Sequence, residues 1–61
     1  MNVKELKQLI EAQGYKVKSI KTFKNSFHVN VWTPTLKLRF FYKRPLEQVT
    51  WEQLKKDYPK I

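Results

Sequence analysis

The sequence predicts an α+β fold: a helix, a three-stranded antiparallel meander and a second helix, with both helices packed on one face of the sheet. Three observations lead there. Apolar residues fall at helical spacing near both ends, runs in the middle alternate between apolar and polar residues, and turn formers separate those runs. At 61 residues the chain has room for one domain, spanning 1–61. A domain this small buries a low fraction of its surface and leans on a compact core.

The first helix is expected over residues 2–13. Asn2 can cap it, and Glu5 sits three positions on, as in a capping box. Val3, Leu6, Leu9, Ile10 and Gln13 form one stripe, leaving Lys4, Lys7, Gln8 and Glu11 to the water. Gly14, the only glycine, stands where a helix needs a left-handed stop.

Residues 15–23 read as a strand with a fault in its alternation. Ile20 and Thr22 share a face, whereas Val17 has the opposite parity, and a bulge near Lys18 and Ser19 would return Val17 to the core. Lys24, Asn25 and Ser26 form the expected turn. In residues 26–32, Phe27, Val29 and Val31 alternate with His28, Asn30 and Trp32. Thr33, Pro34 and Thr35 make a turn with proline at its favoured early position. In residues 36–43, Leu36, Leu38, Phe40 and Tyr42 face one way, and Lys37, Arg39, Phe41 and Lys43 the other. Pro45 ends the sheet because it cannot donate to a ladder. Thr50 with Gln53 forms a second capping box, and Val49 can staple onto Leu54 across it. Trp51, Leu54 and Tyr58 then keep helical spacing until Pro59.

Both helices need cover, and the face made by Phe27, Val29, Val31, Leu36, Leu38, Phe40 and Tyr42 supplies it. The other face is expected to stay open. If Pro34 and Thr35 form a two-residue loop, Trp32 pairs with Lys37, Asn30 with Arg39 and His28 with Phe41. The first strand adds Lys21 and Phe23. The result is a wet surface of rings interleaved with cations.

Composition directs the function. Thirteen Lys and Arg against five acids give a net charge of +8, and eleven of the thirteen are lysine. An isoelectric point near 10.0 is the electrostatic footprint of a nucleic-acid binder. Single strands bind aromatic platforms surrounded by positive charge, so the candidate nucleic-acid-binding residues are Lys21, His28, Asn30, Trp32, Lys37, Arg39 and Phe41. Trp32→Ala is then expected to weaken single-strand binding more than duplex binding. Lys43 and Arg44, with Lys16, Lys18 and Lys24, add a basic rim for phosphates, DNA or RNA. The bland alternative is that the rings cover each other or the lysine stems, and the lysines are a solvated rim.

No enzyme is expected. His28 has only Lys21, Asn30, Arg39 and Phe41 as foreseeable neighbours, and no carboxylate to orient it as a general base. The five acids are scattered, and no phosphate-binding glycine loop is present. Without cysteine and with one histidine, neither disulfides nor a metal site is expected, and no cofactor. No apolar run reaches the length of a membrane span and the first ten residues lack a signal-peptide core, so the expected location is cytoplasmic, with no membrane partner. The alternative function is a protein-interaction module, a small phage-like or mobile-element regulator or inhibitor with an acidic protein partner. There Trp32 and Phe41 would anchor an interface. The expected state is a monomer or weak homodimer.

Gly14 with Tyr15, Phe27, Pro45 and the run Thr50, Trp51, Glu52, Gln53 and Leu54 carry a resemblance. In the order of its elements and in outline the chain resembles the double-stranded-RNA-binding-type α-β-β-β-α fold of HicA-like toxins, which implies that fold and RNA contact. It departs from them where they carry a Gly-Ser-His step, since Thr22, Phe23 and Lys24 stand there. The catalytic histidine of those toxins therefore has no counterpart, and the resemblance implies no ribonuclease activity. The lysine-rich start of the last helix in double-stranded-RNA-binding domains is also replaced, by Val49, Thr50, Trp51 and Glu52.

Overall fold

A computed structural model describes residues 1–61. The order is α1 (Val3–Ala12), β1 (Lys16–Thr22), β2 (Phe27–Trp32), β3 (Lys37–Tyr42) and α2 (Trp51–Leu54). The strands form one antiparallel sheet in the order β1-β2-β3. This is the α-β-β-β-α layout expected from the sequence. No helix is long and apolar enough to cross a membrane.

Local chemistry explains each boundary. Asn2 Oδ1 accepts from the Glu5 N–H at 2.7 Å and opens α1. The Glu5 carboxylate stays exposed in the first turn, where the helix dipole favours it. Gly14 closes the helix with φ +105°, the only positive φ in the chain. That φ is what favours glycine here; a methyl group would in addition sit a tight 3.1 Å from Ile61 Cβ.

The expected bulge is present. Val17 pairs with Val31 and Ser19 with Asn30, so Lys18 is the extra residue. It lets Val17 and Ile20 both pack against the core from a strand whose plain alternation would separate them. Both hairpins close over two residues: Phe23 N–H donates to Ser26 O, and Thr33 N–H to Leu36 O, each at 2.8 Å. Thr33 Oγ1 holds the second turn by accepting from Leu36 N–H at 2.8 Å.

Three expectations need correction. Leu36 belongs to the turn rather than to the core face and is 61% exposed, because β3 begins only at Lys37. Val3 is mostly outside the α1 stripe and lies exposed. The second helix is one α-turn, Trp51–Leu54, that tightens into a 3-10 turn at Lys55–Asp57, and another 3-10 turn, Leu46–Gln48, precedes it. The Thr50 N–H does donate to Gln53 Oε1 at 3.1 Å, as the capping box requires.

One cluster forms the core: Leu6 and Ile10 from α1, Tyr15, Phe27, Val29 and Val31 from the sheet side, and Leu46, Val49, Leu54 and Tyr58 from the C-terminal third. Tyr58 is the largest fully buried side chain. Its ring meets Phe40 at 4.7 Å and Tyr15 edge-on at 5.8 Å. Its hydroxyl shares a 3.0 Å hydrogen bond with that of Tyr42, which also donates to Asp57 Oδ2 at 3.0 Å. Gln13 Nε2 donates to Tyr58 O, Tyr15 Oη to Pro59 O, and Ile61 N–H to Gln13 O. These bonds lash the C-terminal segment across the end of α1.

Removing the Tyr58 ring should therefore be nearly lethal to the fold. Large aromatic truncations cost about 3–5 kcal/mol, and a domain of this length has only about 3–9 kcal/mol in total. Urea melts followed by circular dichroism should show Tyr58→Ala largely unfolded and Tyr58→Phe folded, about 1 kcal/mol weaker. A cooperative Tyr58→Ala melt within about 1 kcal/mol of the parent would show that the ring is not the anchor.

The two phenols also make stability fall at high pH. Burial is the main cause that raises both: Tyr58 is pushed up to about 12 and Tyr42 well above the ordinary tyrosine range, helped by its bonds to Tyr58 and Asp57. A phenol is neutral when protonated, so above the unfolded value of about 10 the folded state holds more protons than the unfolded one. The stabilisation is complete below about pH 10 and is lost as pH rises towards 12 and beyond. Melts across that window should steepen in their loss with pH for the parent and flatten for Tyr42→Phe. Equal slopes for the two proteins would show that Tyr42 ionises freely in the folded state.

Candidate nucleic-acid interface

The open face follows from the register of β2. Its inward residues, Phe27, Val29 and Val31, are buried, which turns His28, Asn30 and Trp32 outward. Cross-strand pairing then builds three rows. Lys16, Trp32 and Lys37 form the first, Ser19, Asn30 and Arg39 the second, and Lys21, His28 and Phe41 the third. The pairs Trp32–Lys37, Asn30–Arg39 and His28–Phe41 are those expected from the sequence, and Lys21 joins the face, opposite His28. All the row residues except Lys16 line a shallow depression of about 460 Å³ whose walls come from the strands alone.

The rows differ in chemistry. At one end Trp32 is half-buried and draws three ammonium groups: Lys16, Lys18 and Lys37 Nζ lie 5.8, 5.9 and 5.9 Å from the ring centroid. Lys16 and Lys37 arrive from opposite neighbouring strands, and the bulge supplies Lys18. Each contact sits near the outer limit of a cation–π attraction, worth about 0.5–1 kcal/mol when exposed. In the middle, Asn30 Nδ2 donates to Ser19 Oγ at 3.0 Å, which fixes the amide plane beside Arg39. At the other end His28 lies between two rings, 5.1 Å from Phe23 and 4.5 Å from Phe41. Those two rings are far from covered: Phe23 is 53% and Phe41 68% exposed.

The charges are segregated. Lys16, Lys18, Lys21, Lys37 and Arg39 belong to this face, while all five acids lie on α1 or in the C-terminal third. The single ion pair, Lys55 with Glu52 at 3.0 Å, is exposed and remote from the sheet face. Every cation of the open face is thus unpaired. No carboxylate lies within ion-pair distance of His28, and no group of three or more His, Asp or Glu could hold a metal.

Lys43 and Arg44 are exposed just past the end of β3 and take no part in the depression. Lys24 is exposed in the first hairpin turn. Lys16 and Lys18, which the sequence placed on the rim, instead join the Trp32 row. The signal for Lys16 was present, because carrying the bulge offset back past Val17 puts Lys16 opposite Trp32. Ser19 joins the face for the same reason. Comparison with known proteins found no matching family model, curated sequence or solved structure.

Proposed function

We propose that the protein is a small nucleic-acid-binding module that holds single strands on its open sheet face. The observation that carries this reading is the coincidence, on one acid-free face, of five unpaired cations with exposed rings. Cations alone would suit any polyanion. Exposed rings among them suit a ligand that alternates negative charges with flat, stackable groups, which is the chemistry of a single strand. Its bases can lie on rings while its phosphates meet lysine. A duplex hides its base faces, so it gains only from the charges.

The mode is binding without chemistry, tolerant of sequence, and shared by RNA and DNA. Contact by a duplex through Lys43, Arg44 and the neighbouring rim is the weaker mode, in line with the resemblance to the double-stranded-RNA-binding-type fold. The absence of cysteine fits a reducing, cytoplasmic setting.

Phosphate contacts release counterions, so affinity should depend steeply on salt. With five cations engaged by a single strand, log K should fall with log salt at a slope of about −3.5. That is a loss of about 100-fold between about 50 and 200 mM salt. Titrating labelled single-stranded and duplex oligonucleotides, with polyglutamate as a competitor, measures it. Tighter binding to the single strand with this slope supports the reading. Negligible low-salt binding to every nucleic acid sinks it. Displacement by polyglutamate at equal charge concentration points instead to an acidic protein partner.

A further inference from the structure

Resting on the single-strand reading, we propose that the face is divided into two subsites: a base subsite at Phe41 and Phe23, and a phosphate subsite made of Lys16, Lys18 and Lys37. Trp32 is a positioning residue for the second subsite, not a stacking platform. The sequence alone favours the opposite, since tryptophan has the largest ring on the face.

Exposure and company decide between them. A stacking platform must offer a ring face to the incoming base. The Trp32 ring is half-buried and has three ammonium groups over it, two from β1 and one from β3. A base that stacked there would have to displace them. Phe41 is the most exposed large apolar side chain in the molecule and Phe23 is more than half exposed, with no cation gathered over either ring. His28 between them keeps both rings in one aromatic group. No ion pair or apolar cover explains why two phenylalanines are left wet beside cations, and exposed apolar surface of this kind marks contact sites.

The lysines have the complementary property. Three flexible ammonium groups would normally spread apart to lower their repulsion. The electron-rich indole draws all three to within 5.9 Å of one ring centroid. No carboxylate neutralises the cluster. A phosphate group is the ligand that ammonium groups gathered around one ring suit, because its oxygens accept charge-assisted hydrogen bonds from them.

The two subsites sit at opposite ends of β2. Trp32 and His28 are four residues apart, about 14 Å along a strand. At the ~3.4 Å rise of stacked bases this spans about four nucleotides. Arg39 lies in the row between and can meet the backbone there, while Lys21 stands beside His28 at the base subsite.

The test uses two probes of equal length and charge: hexathymidylate, and the same sugar–phosphate chain without bases. The wild-type protein should bind the first about 5- to 150-fold more tightly, the range expected for one stacked base. Phe41→Ala, at an exposed position that leaves the core intact, should collapse that ratio towards one and leave the salt slope unchanged. Substituting Lys16, Lys18 and Lys37 together by Gln should keep the ratio and make the slope shallower by about 2. Trp32→Leu should weaken both probes alike, with a shallower slope, and keep the ratio. Loss of the ratio in Trp32→Leu together with its survival in Phe41→Ala overturns the assignment. Equal wild-type binding of the two probes overturns the base subsite while leaving the face a polyanion site. No wild-type binding to either probe overturns the single-strand reading, and this proposal with it. Circular dichroism of each variant separates a lost subsite from a lost fold.

Discussion

β2 is the strand on which both halves of the molecule depend. It is the central strand, so each of its side chains must choose one of two surfaces, and a shift by one residue would exchange them all. Phe27, Val29 and Val31 are driven inward by burial of apolar surface, at roughly 25 cal/mol per Å². That burial holds His28, Asn30 and Trp32 on the outside. The proposed binding face is therefore a consequence of core formation and needs no separate folding instruction.

The sheet alone would not stay folded. Its core face is closed from below by α1 and by a C-terminal third that contains little regular structure. Tyr58 makes that closure secure, because its ring fills the space under Phe40 and Tyr15 while its hydroxyl is satisfied by Tyr42. A buried hydroxyl without that partner would cost much of what the ring contributes. Packing on one side leaves the other side free, and that freedom lets the face carry unpaired lysines. Like charges crowded on a small surface oppose folding. Keeping all five acids on the opposite layer leaves that repulsion uncompensated on the sheet, which a polyanion would relieve.

Much of this was legible in the sequence. Alternation in β2 and β3, the proline turn and the two caps were enough to give the layout and the cross-strand pairs of the open face. The bulge could be inferred from the parity of Val17. Leu36 was misplaced because alternation continues unbroken through Leu38, and nothing in the pattern marks where the turn ends and β3 begins. The bonds among Tyr42, Asp57 and Tyr58, and those from Tyr15 and Gln13 to the C-terminal segment, were not legible. They depend on how an irregular segment returns across α1, a path that no periodicity encodes. The gathering of Lys16 and Lys18 at Trp32 escaped for a smaller reason: the bulge changes which lysines share the indole's side of the sheet.

The central claim is that the outer face of β2 is where a single strand docks. Mapping amide and indole chemical shifts while a short single-stranded oligonucleotide is added tests it most directly. The account predicts that the largest changes fall on residues 28, 30, 32, 39 and 41 and on the flanking β1 residues, with α1 and the C-terminal third almost still. Changes centred on α1 or the C-terminal third, with the sheet face unmoved, would contradict it.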